Sequence, residues 1–196
     1  MTFDVTIRIV PRRGAGEDRA TTITRPDRLV VVLADGAGGT GGGAAAAEAV
    51  ISAAIAEPIR DPAALLEALD GAPDRLGRGE TTAVILAIAG DRITGASVGD
   101  SAAWLIEAGA ITDITSDQQR KPLLGAGAII TPFGATLGTA TLLVASDGLF
   151  KYARRDAILR AVAMPDLEAV ADQLVAAARL PNGALQDDVS LVLVRR

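Results

Sequence analysis

The sequence predicts an α+β fold with largely antiparallel β-sheets. Strand patterns gather in blocks and helix patterns come in pairs between them, whereas a doubly wound parallel sheet would alternate the two. Apolar residues make up 49% of the 196 positions and charged residues 22%, which excludes disordered and solvating-tail proteins. This composition and length predict one compact domain covering 1–196.

The first part of the chain contains three strand patterns and two helix patterns. Apolar and polar residues alternate over 3–10, as in a half-buried strand, and a short strand is predicted at 20–24. The continuous apolar run LVVVLA at 29–34 predicts a strand buried on both faces. Helices are predicted over the alanine-rich stretch 42–57 and over 62–69, where Asp61 is the expected N-cap and Pro62 the first helical residue.

The rest of the chain reads as an antiparallel meander followed by a helix pair. The predicted elements are the strands TTAVILAIA, RITGASVG and AAWLIEA with turns at 90–91 and 108–109, a buried strand at 141–145, helices at 155–163 and 166–179, and a closing strand at 189–194. Glycines and prolines interrupt 115–138, which predicts an irregular crossing loop.

Composition also narrows the chemistry. The chain has no cysteine and no histidine, which excludes disulfides, thiol nucleophiles, histidine-based triads and histidine-bound zinc. Scattered basic residues and a net charge of −5 argue against nucleic acid as a partner. Neither a signal-peptide pattern nor an apolar run of membrane-spanning length occurs, so a cytoplasmic protein without a membrane partner is expected.

A glycine-rich run at 36–41 fits the pattern G-x-G-x-x-G between a strand and a helix. One interpretation is a dinucleotide-binding turn, and another is a flexible turn that lets the alanine-rich helix pack closely. The carboxylate of Asp35 at the strand end and the later hairpins both argue against a dinucleotide.

Carboxylates recur where predicted strands begin or end: Asp35, Asp100, Asp147 and the pair Asp187 and Asp188. Any one of them alone is best explained as capping a turn. Several carboxylates in one place repel each other unless a cation holds them, and oxygen-only ligands select hard ions such as Mg²⁺ or Mn²⁺. Their joint recurrence favours a metal site.

These segments resemble the metal-dependent protein phosphatases of type 2C, in order and over nearly the whole chain. The segments that carry the resemblance are Arg13 with Glu17 and Asp18, LADGAGG at 33–39, GETTAVILA at 79–87, GDS at 99–101, ASDGLF at 145–150 and DDVSLVLV at 187–194. The resemblance implies two stacked β-sheets flanked by helix pairs, an α-β-β-α sandwich, with a binuclear Mg²⁺ or Mn²⁺ centre at one edge.

The resemblance also implies a role for each matching residue. Asp35 would bridge the two metals while the carbonyl of Gly36 binds one of them. Asp147 and Asp187 would bind the other metal, Glu17 and Asp18 would act through bound waters, and Arg13 would hold the substrate phosphate. Two metals activate a shared water for in-line attack, so no nucleophile from the protein is needed.

The chain departs from the family pattern at three positions. Ala37 stands where the family often has a histidine that donates a proton to the leaving group, and Ala102 replaces an arginine after GDS. An accessory third ion in the family uses the aspartate of GDS, here Asp100, and an aspartate where this chain has Lys151. Because that ligand is missing, a third ion is weakly supported, and the ammonium could balance the charge in its place.

The resemblance thus implies a Mg²⁺- or Mn²⁺-dependent phosphatase acting on phosphoserine and phosphothreonine. Its expected partners are a phosphorylated protein substrate and an opposing serine/threonine kinase. The departures at Ala37, Ala102 and Lys151 leave open an alternative, a catalytically weak phosphatase-like module that binds a phosphoprotein.

Overall fold

Two five-stranded antiparallel sheets form the centre of the protein. The computed structural model describes residues 2–38, 41–57 and 60–196. The strands are β1 (Asp4–Val10), β2 (Arg19–Arg25), β3 (Arg28–Ala34), β4 (Ala83–Ala89), β5 (Arg92–Val98), β6 (Ala102–Glu107), β7 (Ala110–Asp113), β8 (Thr131–Thr136), β9 (Thr141–Ala145) and β10 (Val189–Arg195). One sheet has the order β1-β10-β9-β6-β7 and the other β2-β3-β4-β5-β8.

Helices cover the outer face of each sheet. They are α1 (Gly43–Ala56), α2 (Pro62–Asp70), α3 (Asp147–Phe150), α4 (Arg155–Val162) and α5 (Leu167–Ala177), with a short 3-10 helix at Pro73–Leu76. Helices α1 and α2 pack on the β2-β3-β4-β5-β8 sheet, and α4 and α5 pack on the other. A third apolar cluster, which includes Leu86 and Val192, fills the space between the sheets. The predicted α-β-β-α sandwich is confirmed.

Local sequence signals placed most of the elements correctly. Asp61 caps α2, since its carboxylate accepts hydrogen bonds from the backbone N–H groups of Ala63 and Ala64 at 2.9 and 3.3 Å. The run at 29–34 is buried along its length, as expected for a strand covered on both faces.

The predicted meander is correct only for β4 and β5, which pair antiparallel, because the chain then crosses to the other sheet, where β6 pairs with β7 and β9.

The segment 115–138 requires a second correction to the expected elements. It contains β8, which pairs with β5 at the edge of its sheet and alternates between half-buried and exposed residues. A proline at 132 and a glycine at 134 weaken the strand signal, and an edge strand tolerates both. The short elements β7 and α3 were also not predicted.

The dinucleotide interpretation of the glycine-rich run is wrong. Strands β3 and β4 lie on either side of this run and pair antiparallel, whereas a dinucleotide-binding unit needs parallel strands. Gly39 and Thr40, the two variable positions before the last glycine of the motif, lie outside the described residues.

Among the helices described here, none is both long enough and apolar enough to span a bilayer.

Candidate metal centre and phosphate cleft

The pairing of β2 with β3 brings Asp18 and Asp35 together. Arg19, the first residue of β2, is opposite Ala34, the last residue of β3. The residue before β2 and the residue after β3 therefore lie at the same end of this strand pair. Asp18 is 1% exposed and Asp35 is half-buried. Two carboxylates distant in sequence are therefore neighbours because an antiparallel pair places one strand's end beside the other's start.

The second sheet places Asp147 and Asp187 at the matching edge in the same way. Leu191 is opposite Ala145 in the β9 and β10 register, and beyond it the Ser146 N–H donates to the Ser190 carbonyl at 2.9 Å. Asp147 follows β9 and Asp187 precedes β10. The acidic motifs of both sheets thus converge at one end of the sandwich.

Glycines beside two of these aspartates allow the backbone to approach closely. A Cβ on Gly36 would overlap the backbone of Gly43 at the start of α1. A Cβ on Gly148 would overlap the Asp188 carbonyl. Any larger residue would push α1 or the start of β10 away from the acidic cluster, which explains the Asp-Gly pairs in physical terms.

The backbone of Asp35 is fixed by the segment before β4. The Asp35 N–H donates to the Thr82 hydroxyl at 3.1 Å, and the Thr81 hydroxyl donates to the Asp35 carbonyl at 2.9 Å. Thr82 is held in turn by a hydrogen bond of 2.7 Å with the Ser101 hydroxyl. The resemblance included these threonines in GETTAVILA without a role, and the structure shows that they position Asp35.

Burial and mutual repulsion make it costly for the clustered carboxylates to carry charge. Burial, together with the charges of Asp18, Asp147 and Asp187, raises the pKa of Asp35 to about 10. Burial also raises the pKa of Asp18 to about 6, although the nearby hydroxyls of Ser146 and Ser190 oppose the shift. Neither oxygen of Asp18 completes a well-formed hydrogen bond within the described ranges. A buried carboxylate without partners, beside a second one, fits a divalent cation.

Two basic side chains pair with two predicted site residues that lie outside the Asp18 and Asp35 pair. Lys151 forms an ion pair with Asp147 and opposes the rise in its pKa that burial causes. Arg120 forms an ion pair of 2.7 Å with Asp100, the residue predicted to hold a third ion. Both carboxylates are therefore balanced by basic side chains.

The carboxylate of Asp188 holds the loop between β1 and β2. Its two oxygens accept the backbone N–H groups of Arg12 and Glu17, each at 2.6 Å. This loop carries Arg13, the predicted phosphate ligand. Asp188 therefore positions the loop, a role that its sequence neighbourhood did not reveal.

A cleft of about 400 Å³ joins the loop to the acidic cluster. Its lining residues are Arg12, Arg13, Ala15, Gly16, Glu17, Asp18, Asp35, Gly36, Asp187 and Asp188. The predicted residues Asp100 and Asp147 lie outside this lining, although their charges act on one another. Across residues 2–38, 41–57 and 60–196, no three acidic side chains converge in a ready-made metal coordination geometry. Binding of a cation would therefore require these carboxylates, which repel each other, to move closer together.

The chain belongs to the family described as Stage II sporulation protein E (SpoIIE), whose profile matches residues 25–196. The match begins after Arg13, Glu17 and Asp18, so it covers the acidic positions from Asp35 onward. No curated protein sequence matches the chain.

Solved structures of bacterial phosphatases share the fold over its full length. The S. agalactiae serine/threonine phosphatase superposes with a TM-score of 0.86 at 21% identity, covering 99% of this chain and 99% of that one. The Mycobacterium tuberculosis serine/threonine phosphatase PstP gives 0.81 at 23% identity, covering 100% and 99%. The catalytic domain of PstP in complex with two manganese ions gives 0.79 at 24% identity, covering 98% and 97%. The predicted resemblance to type 2C phosphatases is confirmed.

Proposed function

We propose that this protein is a Mg²⁺- or Mn²⁺-dependent phosphatase that hydrolyses phosphoserine and phosphothreonine in proteins. The observation that carries the proposal is a single cleft whose lining contains both Arg12 and Arg13 and the carboxylates of Asp18, Asp35 and Asp187. Cationic side chains suit a phosphate dianion, and an all-oxygen acidic cluster suits hard divalent ions. The manganese ions of the similar PstP structure support this ligand chemistry.

The acidic residues would hold the ions in the roles that the family resemblance implies. Asp35 would contact both ions, the Gly36 carbonyl would bind one of them, Asp147 and Asp187 would bind the other, and Glu17 and Asp18 would bind through waters. When bound, the ions supply the positive charge that activates a water and offsets charge on the phosphate. Asp100 remains a candidate ligand for a third ion, in competition with its ion pair to Arg120.

The protein's own residues bind and orient the phosphate. Arg13 is exposed on the loop that Asp188 anchors, so its guanidinium can offer paired N–H donors to two phosphate oxygens. In the reaction a water oxygen forms a bond to phosphorus, the ester P–O bond breaks, and the serine or threonine oxygen takes a proton. The products are the free hydroxyl side chain and inorganic phosphate.

The site has no side chain at position 37 that could donate a proton to the leaving group. Ala37 has no acidic proton to give, and its backbone N–H donates to the Glu80 carbonyl at 2.9 Å. A missing general acid slows a reaction by ~10²–10⁴-fold when the leaving group is a poor one such as an alkoxide. Aryl phosphates depend on this proton far less, so we expect them to be turned over faster than phosphoserine.

An aryl phosphate is the suitable first substrate, because its hydrolysis depends little on the missing general acid. Hydrolysis of p-nitrophenyl phosphate is measured with Mn²⁺, with Mg²⁺ and with excess EDTA, on the intact protein and on Asp35→Asn and Asp187→Asn. Turnover that requires metal and is lost in both folded variants is the expected result. Turnover that persists in the variants or in EDTA would overturn the proposed mechanism.

The alternative is a phosphatase-like module that binds a phosphoprotein with little or no catalysis. It is favoured by the ion pair of Lys151 with Asp147, since this contact occupies a predicted metal ligand. Such a module would bind a phosphopeptide in EDTA as tightly as with Mn²⁺. A phosphorylated protein partner is common to both proposals, whereas an opposing kinase and a cytoplasmic location remain predictions from the sequence.

A further inference from the structure

A second cleft adjoins the acidic one and is basic. It has a volume of about 560 Å³ and is lined by Val10, Pro11, Arg12, Arg13, Tyr152, Arg179, Leu180, Ala184, Leu185 and Gln186. Arg12 and Arg13 line both clefts, so the two share one wall. No residue of this second cleft outside the shared wall has a role in the chemistry proposed above.

The guanidinium groups of the second cleft are not neutralised by carboxylates. Within the described ranges, Arg12, Arg13 and Arg179 make no side-chain ion pair, although most other arginines of the chain do. The described lining of the second cleft contains these three arginines and no acidic residue. Unpaired cations that line a concave surface suit an anionic ligand.

Arg179 lies at the start of a loop that hydrogen bonds hold in place. One guanidinium nitrogen donates to the Gly183 carbonyl at 2.7 Å, and the Leu180 N–H donates to the Ala184 carbonyl at 2.9 Å. A guanidinium has five N–H donors, so most of those on Arg179 remain available to a ligand. The loop thus reduces the entropy lost when Arg179 binds an anion.

The same cleft offers apolar surface beside its cations. Leu180 is 37% exposed, one of few large apolar side chains in the described chain to reach that fraction, and Tyr152 is half-buried at the cleft wall. A cleft lined by guanidinium groups together with leucine and tyrosine side chains fits a peptide that carries acidic side chains. A free inorganic anion would leave the apolar part of the cleft unused.

We propose that this cleft, named here the Arg179 cleft, binds an acidic or second phosphorylated residue of the protein substrate, next to the phosphoserine held at Arg13. This rests on the proposed function, and it assigns a substrate class to the same site. Because Arg12 and Arg13 line both clefts, and an extended chain advances ~3.3 Å per residue, the second anion should lie within a few residues of the scissile phosphoserine.

The test compares phosphoserine peptides of equal length with acidic, neutral or basic residues two and three positions to either side. We expect kcat/KM for one of the acidic peptides to exceed that for the matched neutral peptide by about tenfold at low salt, and the ratio to fall as salt screens the charges. Arg179→Gln should reduce this ratio to about twofold. Arg92→Gln removes an exposed arginine of β5 and should leave the ratio unchanged.

A charge-reversal variant, Arg179→Glu, distinguishes loss of the proposed contact from a general loss of folding. Arg179→Glu should prefer the basic peptide to the acidic one, which a merely damaged protein would not do. Equal kcat/KM for acidic and neutral peptides in the unmodified protein would overturn the proposal. So would a full acidic preference in Arg179→Gln.

The experiments distinguish the case in which the protein is not a phosphatase from the case in which the Arg179 cleft does not bind an anion. Hydrolysis of p-nitrophenyl phosphate uses Arg13 of the shared wall but not Arg179, so it should be equal in the unmodified protein and in Arg179→Gln. If no phosphatase activity exists, fluorescence anisotropy of the same labelled peptides decides the question. Tighter binding of the acidic peptide that Arg179→Gln loses would support the cleft, and equal binding of all peptides would reject it.

Discussion

Replacing Asp35 with Asn should stabilise the metal-free protein and remove its response to Mn²⁺. In the folded state the pKa of Asp35 rises from the ordinary 3.8 to about 10, because the side chain is buried beside other carboxylates. The folded protein therefore binds a proton that the unfolded chain lacks between these two pH values. Stability falls as the pH rises through this window, and an asparagine at position 35 does not titrate.

The gain in the free energy of unfolding that Asp35→Asn produces depends on the pH of the measurement. Taking up one proton costs about 1.4 kcal/mol for each pH unit above the unfolded pKa of 3.8, which gives at most about 4 kcal/mol at pH 7. Relaxation of the neighbouring carboxylates lowers this limit. We expect Asp35→Asn to gain about 1–4 kcal/mol in EDTA at pH 7, and less than about 2 kcal/mol at pH 5.

Urea denaturation in EDTA at both pH values measures the gain, and the same experiment with Mn²⁺ measures the metal response. The control is Asp4→Asn, which removes an exposed carboxylate from β1. Asp4→Asn should show neither the gain in EDTA nor the loss of Mn²⁺ stabilisation. The reasoning is refuted if Asp35→Asn is less stable than the unmodified protein in EDTA, or if its gain does not depend on pH.

Four further substitutions test single contacts. Lys151→Met removes the ammonium paired with Asp147 and should tighten Mn²⁺ binding roughly tenfold by calorimetry; unchanged affinity would mean that the lysine does not compete with metal. Asp188→Ala frees two backbone N–H groups and should raise KM for p-nitrophenyl phosphate, with a smaller rise in Asp188→Asn; an unchanged KM would show that the loop is held by other contacts. Asp61→Ala should destabilise the protein by ~1 kcal/mol in urea while Asp61→Asn costs a few tenths, and equal losses would contradict the capping role. Leu86→Ala, 0% exposed between the sheets, should cost about 3–5 kcal/mol, and a loss below about 1 kcal/mol would show that the core collapses around the gap.

The fold was largely predictable because its strands carry strong local signals. LVVVLA at 29–34 is apolar throughout and is buried throughout, so composition and structure agree residue by residue. β8 gave no such signal, because an edge strand with one half-exposed face needs neither a continuous apolar run nor every backbone N–H. Its place in the sheet is set by pairing with β5, a contact between distant parts of the chain that local patterns do not encode.

The sequence named the residues of a candidate site, whose roles stay predictions, but it did not show how they are arranged. The family resemblance implied that Asp35 and Asp187 bind metal, and in the structure both line the same cleft. The anchoring of the loop by Asp188 was hidden, since a carboxylate that accepts backbone N–H groups has the same sequence context as one that binds a metal. The Arg179 cleft was hidden for a related reason, because its arginines come from the two ends of the chain and no spacing rule joins them.

In the proposed function, one cleft binds the phosphate with the metal ions and the other binds the neighbouring anion, and the strand register explains why the two are adjacent. Acidic side chains gather where both sheets end, because each antiparallel pair places a strand's end beside its neighbour's start. The loop between β1 and β2 crosses this edge, and Asp188 fixes it there, so its two arginines face the acidic cluster on one side and Arg179 on the other. Chemistry and substrate choice therefore meet at a single loop. A change in that loop should alter both, whereas a change at Arg179 should alter substrate choice alone.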